Sequence, residues 1–367
     1  MNDISSSHSE GNAIVRSRLS GSRINALEIG RGLAALAVVV FHSNASAIHY
    51  GGPVFPWMRL LEYGVDFFFV LSGFIIFTAH GHEIGRADRV GEYLKKRFIR
   101  LFPVLWVIVL GFMALRLCVG VMPDIPMLLR SLFPYPSLEQ PMPMVVWTLR
   151  FELMFYVAFA LLLLTPRIGW MIFLLWGVAC GVQLILSLAG NPVTGVSSML
   201  VSSYIFDFLM GMGLAKLHSQ RNFRASVFPL IAGLAALIII LTATYMFDLG
   251  RHNFMDYASV NATLWTLVRG VAFALVVHGL VCAEPLVNAR NPLILLGGSS
   301  YALYLVHTPA NSFLQRIAEH IPDIALQWGA GHMLLIAGGV AAGFAMHHMF
   351  EKPATRYLRK RFAGKRT

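Results

Sequence analysis

The sequence predicts an all-α fold, a polytopic membrane bundle of about ten transmembrane helices. Two observations carry that reading. Hydrophobic residues make up 57% of the 367 positions and charged residues only 13%, about half the charged share of an ordinary soluble chain. Apolar windows of spanning length also recur along the whole sequence, at 25–46, 64–80, 99–121, 146–165, 168–189, 198–217, 227–247, 258–281, 292–311 and 328–350. No stretch is left over for a separate soluble domain. Residues 1–23 are polar, Ser-rich and basic, with no apolar core before a small-residue cleavage site, and read as a disordered cytoplasmic tail rather than a signal peptide. The transmembrane domain spans 24–356, and 357–367 form a second basic cytoplasmic tail.

The net charge of +11 has an explanation in topology. With the N-terminus inside, most of the 29 basic residues fall in cytoplasmic segments, among them Arg86, Arg89, Lys95, Lys96, Arg97 and Arg100, then Lys216, Arg221 and Arg224. Outer loops hold only Arg59, Arg130, Arg251 and Arg316. The bias puts both termini in the cytoplasm and requires no nucleic-acid partner. Cys118, Cys180 and Cys282 stand in apolar stretches without CxxC spacing, so neither a disulfide framework nor a metal site is expected.

The first apolar segment, EIGRGLAALAVVVFHS at 28–43, carries Arg31 and His42 eleven positions apart. On a helix these share a face to within about 20° and are separated by roughly 16 Å, about half a hydrocarbon core. Ionisable groups so placed read as functional, although an arginine can also snorkel at a helix start. The second segment enters from outside as GVDFFFVLSGF, with Asp66 close to the outer surface. The third begins inside as KKRFIRLFP, where Arg97 and Arg100 share a face. Such a pair suits phosphate oxygens, or it serves orientation and anionic lipid. A Pro-rich stretch at 122–145 reads as an irregular or re-entrant loop.

The fourth segment, WTLRFELMFY, sets Glu152 about a turn into an apolar helix, with Arg150 on another face. A carboxylate there needs a partner, and His42 at similar depth is the economical one. Asp207 and Arg269 fall near mid-depth, either paired with each other or lining one cavity. In the ninth segment, GGSSYALYLVHTPA, Gly297 and Gly298 permit close helix packing. His307 lies at a depth like that of His42, as a site residue or as a helix-end histidine bonded to backbone. Adjacent His347 and His348 point to different faces and are a weak metal signal.

Arg31-x10-His42, GVDFFFVLSGF, Arg97-x2-Arg100-x2-Pro103, WTLxxE, SYALYLVH and a closing FEKP at 350–353 occur in one order. Together they resemble the acyltransferase-3 family of bacterial membrane O-acyltransferases, most of all the branch that decorates exopolysaccharides and other surface glycans. The resemblance implies acyl-CoA, usually acetyl-CoA, as donor, a carbohydrate hydroxyl outside as acceptor, and the bacterial inner membrane as location. On that reading Arg31, Arg97 and Arg100 hold the donor phosphates. His42 is general base or acyl carrier, with Glu152 and Asp66 orienting it, and His307, Tyr301 and Arg150 serve acceptor binding or oxyanion stabilisation. No metal is implied. The rival class is a proton-coupled transporter or flippase, which the same buried His, Glu, Asp and Arg would suit. No internal repeat or paired broken helices supports it.

Overall fold

The computed structural model describes residues 24–122, 124–221, 223–249 and 256–363. The expected N-terminal tail at 1–23 and Arg16, Arg18, Arg23, Arg251, Lys365 and Arg366 lie outside these residues. The described chain is helical, with no strand. Its long helices are α1 (Asn25–Ser46), α2 (Gly64–His80) and α3 (Val90–Cys118). After the short α4 (Ile125–Leu132) come α5 (Trp147–Leu164) and α6 (Pro166–Leu188). The short α7 (Val196–Leu200) precedes α8 (Tyr204–Gln220), α9 (Phe228–Met246) and α10 (Val260–Ala283). Then follow α11 (Leu293–Ala318), the short α12 (Asp323–Gln327), α13 (Ala330–Met346) and α14 (Lys352–Ala363).

Nine helical stretches among the described residues are long and apolar enough to cross a bilayer. Together with α11 they coincide with the ten expected windows. Helix α11 has ample length at 26 residues, but Ser299, Ser300, His307 and Asn311 make it too polar to count, and all four are buried. A helix that places its polar groups inside the protein forfeits hydropathy without exposing them to lipid.

Three segments carry helix beyond the apolar windows. Helix α3 starts nine residues before its apolar window, so Lys95 and Lys96 lie in the helix together with Arg97 and Arg100. The 122–145 loop contains α4, started by Asp124, whose carboxylate accepts from the Met127 N–H at 3.1 Å, with Pro126 in the first turn. The expected tail at 357–367 is helical as far as Ala363, the end of α14.

The chain folds as two compact units interleaved in sequence, residues 1–34, 65–88 and 157–297 in the first, and 35–64, 89–156 and 298–367 in the second. In the first unit, α2 and α8 meet backbone to backbone. A Cβ on Gly73 would strike the Phe208 carbonyl, and one on Gly211 the Val70 carbonyl. The same device appears at Gly297, where a Cβ would strike the Glu28 carbonyl. Glu284 caps the start of α1, accepting the Ala26 N–H at 2.7 Å. Replacing Gly211 with alanine is therefore expected to destabilise the fold by about 1–3 kcal/mol. The same change at Gly213, where a Cβ meets nothing within 4 Å, should be neutral. Thermal melting followed by size-exclusion chromatography separates the two.

In the second unit, Ala47, Tyr50, Ala318, Leu326 and Leu335 form an apolar cluster. The loop after α1 is closed by Asn44, whose amide donates to the Phe55 carbonyl at 3.1 Å and accepts the Phe55 N–H at 2.8 Å. A single π turn, His347–Glu351, joins α13 to α14 and turns Glu351 into the protein interior.

Candidate active site

Two antiparallel helices of the second unit carry a polar track. Helix α11 presents Tyr301, Tyr304 and His307 at three-residue intervals, and α5 presents Thr148, Glu152 and Tyr156 at four-residue intervals, each series on one face. The Tyr304 hydroxyl lies 3.0 Å from the Thr148 hydroxyl, and both reach the Val145 carbonyl. From His307 to Tyr301 the track rises about 9 Å along α11.

At one end of the track His307 meets His42. The His307 Nε2 lies 3.1 Å from His42 Nδ1, with ring centroids 4.9 Å apart. Each ring's Nδ1 also lies 3.0 Å from the carbonyl four residues earlier, Val38 for His42 and Leu303 for His307. A carbonyl oxygen only accepts, so in both neutral rings the proton is on Nδ1. His307 Nε2 is then a bare acceptor for the His42 Nδ1–H. His42 Nε2 is left with its lone pair and no hydrogen-bond partner among the described residues. This is the tautomer a general base requires.

The His307 side of the pair is firmly held. The ring is fully buried, Gly339 leaves room for its Cβ, and the Asn311 amide donates to the His307 carbonyl at 3.1 Å. His42 is half-buried.

At the other end stand the arginines of α3. Arg100 donates to Glu351 at 2.8 Å, and its guanidinium lies 5.1 Å over the Tyr301 ring. Arg97 lies over the Tyr93 and Tyr156 rings at 5.5 and 5.7 Å. Glu351 also meets His347 Nδ1 at 2.7 Å. The Tyr156 hydroxyl donates to Glu152. An arginine has five N–H donors, and one bond to Glu351 leaves the Arg100 fork with capacity for phosphate oxygens. Arg31, in the first unit, is paired with Glu28 at 3.2 Å.

Several expected roles change. Asp66 does not orient His42: it is 1% exposed and its carboxylate meets Arg269, itself 0% exposed, at 2.6 Å. A buried guanidinium requires a counter-ion, and Asp66 provides it. Asp207 is therefore not the hydrogen-bonded partner of Arg269. Its Oδ1 faces Gly270, where a Cβ would strike it, and neither oxygen has a hydrogen-bond partner among the described residues. Glu152 bonds Tyr156 rather than His42. Arg150 is buried and donates to the Ser137 and Glu139 carbonyls, the latter at 2.6 Å, and so clamps the loop before α5. Tyr301 belongs with Arg100 and donates to the Leu101 carbonyl at 2.8 Å.

Sequence reasoning missed Glu351, Tyr156 and the Thr148–Tyr304 contact. The signal for Glu351 was available in FEKP, an acid set between an apolar run and a basic tail. For Tyr156 it was the i, i+4 spacing to Glu152.

A multi-pass helical membrane protein that sets an imidazole pair and an arginine pair along one polar track has the construction of an integral membrane enzyme. The chain belongs to the acyltransferase domain family, whose model matches residues 24–348, and is an acyltransferase. Among curated proteins it is similar to the exopolysaccharide production protein ExoZ of Rhizobium meliloti (strain 1021), 30% identical over 315 residues that cover 81% of this chain and 90% of that protein. It is also similar to protein 2 in the picA locus of Rhizobium radiobacter, 38% identical over 85 residues, 23% of this chain and 40% of that protein. No solved structure matches. The family match ends three residues before Glu351.

Proposed function

We propose that the protein transfers an acyl group, acetyl in the first instance, from cytoplasmic acyl-CoA to a hydroxyl of an exported or cell-surface carbohydrate. The tautomer of His42 carries this reading, with an unprotonated Nε2 backed by His307 on the far side of the ring. The similarity to an exopolysaccharide production protein over nearly its full length supports a polysaccharide acceptor. The positive-inside charge pattern supports the inner membrane, with both termini and the arginine end of the track in the cytoplasm.

In the reaction, His42 Nε2 takes the proton of the acceptor hydroxyl as its oxygen attacks the thioester carbonyl. The C–O bond forms, the C–S bond breaks, and the imidazolium returns the proton to the departing CoA sulfur. His307 Nε2 accepts from His42 Nδ1–H throughout and stabilises the imidazolium, the task a carboxylate performs in other histidine-centred sites. Arg97 and Arg100 hold the phosphates of the nucleotide end. The slender pantetheine arm lies along the track past Tyr301 and Tyr304. Glu152 and Glu351 orient the arginines rather than the base.

Purified protein in liposomes with radiolabelled acetyl-CoA tests the reading through CoA release and label on a surface-glycan extract. Arg100→Ala is expected to raise the donor KM about 10–100-fold, the loss of hydrogen bonds to a charged group, with kcat little changed. Label retained on the protein in the absence of acceptor would replace direct transfer by an acyl-His42 intermediate. Failure to turn over any acyl-CoA would sink the donor assignment and favour the transporter.

A further inference from the structure

The first unit contains a cluster that the acyl-transfer track does not use. His218 comes from the last turn of α8, and His278 and Cys282 lie one turn apart near the end of α10. His218 Nε2 is 2.9 Å from His278 Nδ1, and the Cys282 sulfur is 3.9 Å from that same nitrogen. One ligating atom from each of the three residues fits within a span of 4.8 Å. Tetrahedral zinc, with metal–nitrogen bonds of about 2.0–2.1 Å and a metal–sulfur bond of about 2.3 Å, sets such atoms roughly 3.3–3.7 Å apart. The 2.9 and 3.9 Å separations lie within about half an ångström of that geometry, and the third, within 4.8 Å, closes by up to about 1 Å on binding. His218 and Cys282 are buried and His278 half-buried. The Phe223 ring packs against both imidazoles, at 4.5 and 4.8 Å between centroids.

We propose that His218, His278 and Cys282 form a binding site for one borderline-soft divalent ion, zinc(II) in the first place, with a fourth position left for water or another ligand. The donor set is the reason for the metal: two imidazoles and a thiolate suit zinc and exclude calcium and magnesium. Binding forms a metal–sulfur bond and two metal–nitrogen bonds. The thiol proton passes to solvent, and the imidazole that donates in the present His218–His278 contact moves its proton to the other ring nitrogen. The ion then clips the end of α8 to the end of α10. Cysteine and histidine spacing in the sequence did not indicate this site, because His218 and His278 are 60 residues apart.

Metal-stripped full-length protein in nanodiscs, titrated with cobalt(II), tests the proposal independently of acyl transfer. Wild type is expected to take up one cobalt per chain with a thiolate-to-cobalt charge-transfer band, and zinc should displace it. Cys282→Ser is nearly isosteric and keeps the packing; it should remove the band and weaken zinc binding more than about tenfold, above the usual cost of losing a supporting residue. His218→Gln should weaken it likewise, whereas Cys118→Ser should not. Zinc should raise the melting temperature of wild type but not of Cys282→Ser. Absence of the band from wild type, or its persistence in Cys282→Ser, overturns the proposal.

Discussion

Replacing His42 with alanine is expected to lower kcat for acyl transfer by about 10²–10⁴-fold, the range of general base catalysis, while donor affinity and melting temperature stay near wild type. The ring is half-buried and bonded to its own helix backbone and to His307, so its loss removes a proton acceptor without opening the fold. His307 acts through His42. His307→Gln should therefore reduce kcat by less than His42→Ala, and the double variant should be no slower than His42→Ala alone. Glu152→Gln should act on donor KM, because its carboxylate holds the Tyr156 hydroxyl and the Tyr156 ring lies beneath Arg97. Turnover of His42→Ala at the wild-type rate would remove the base from the mechanism. An additive double variant would give His307 a separate role.

Asp66→Leu is expected to cost about 3–5 kcal/mol of stability by removing the carboxylate that meets the buried Arg269, enough to abolish accumulation of folded protein. The double replacement Asp66→Leu with Arg269→Met removes both charges and should recover most of that loss, since well-packed apolar residues often match a buried ion pair. Expression level, size-exclusion profile and melting temperature report the difference. A folded Asp66→Leu protein that had lost acyl transfer would return Asp66 to the chemistry, as its place in GVDFFFVLSGF first suggested.

What the sequence determined alone was the class of fold and the order of its parts. In hydrocarbon every backbone N–H and C=O must be satisfied within the segment, so an apolar run of about 20 residues has no stable form but a helix. Nearly all the expected windows became helices within a few residues. The charge asymmetry and the ordered motifs were readable for the same reason: they are properties of position along the chain. They led to the acyltransferase family, to His42 and to the pair Arg97 and Arg100 as residues that share a helix face.

Partnership between helices was decided only by the tertiary structure. His307 meets His42 across 265 positions, Arg100 meets Glu351 across 251, and Arg269 meets Asp66 across 203. Helical period states which residues share a face, but not which way that face turns. Rotation is set by close packing at Gly73, Gly211 and Gly297 and by the need of each buried charge for its nearest counter-charge. Depth alone made Glu152 the first candidate partner for His42 and Asp66 the second. Packing gave Glu152 to Tyr156 and Asp66 to Arg269, and left the histidine to a second histidine.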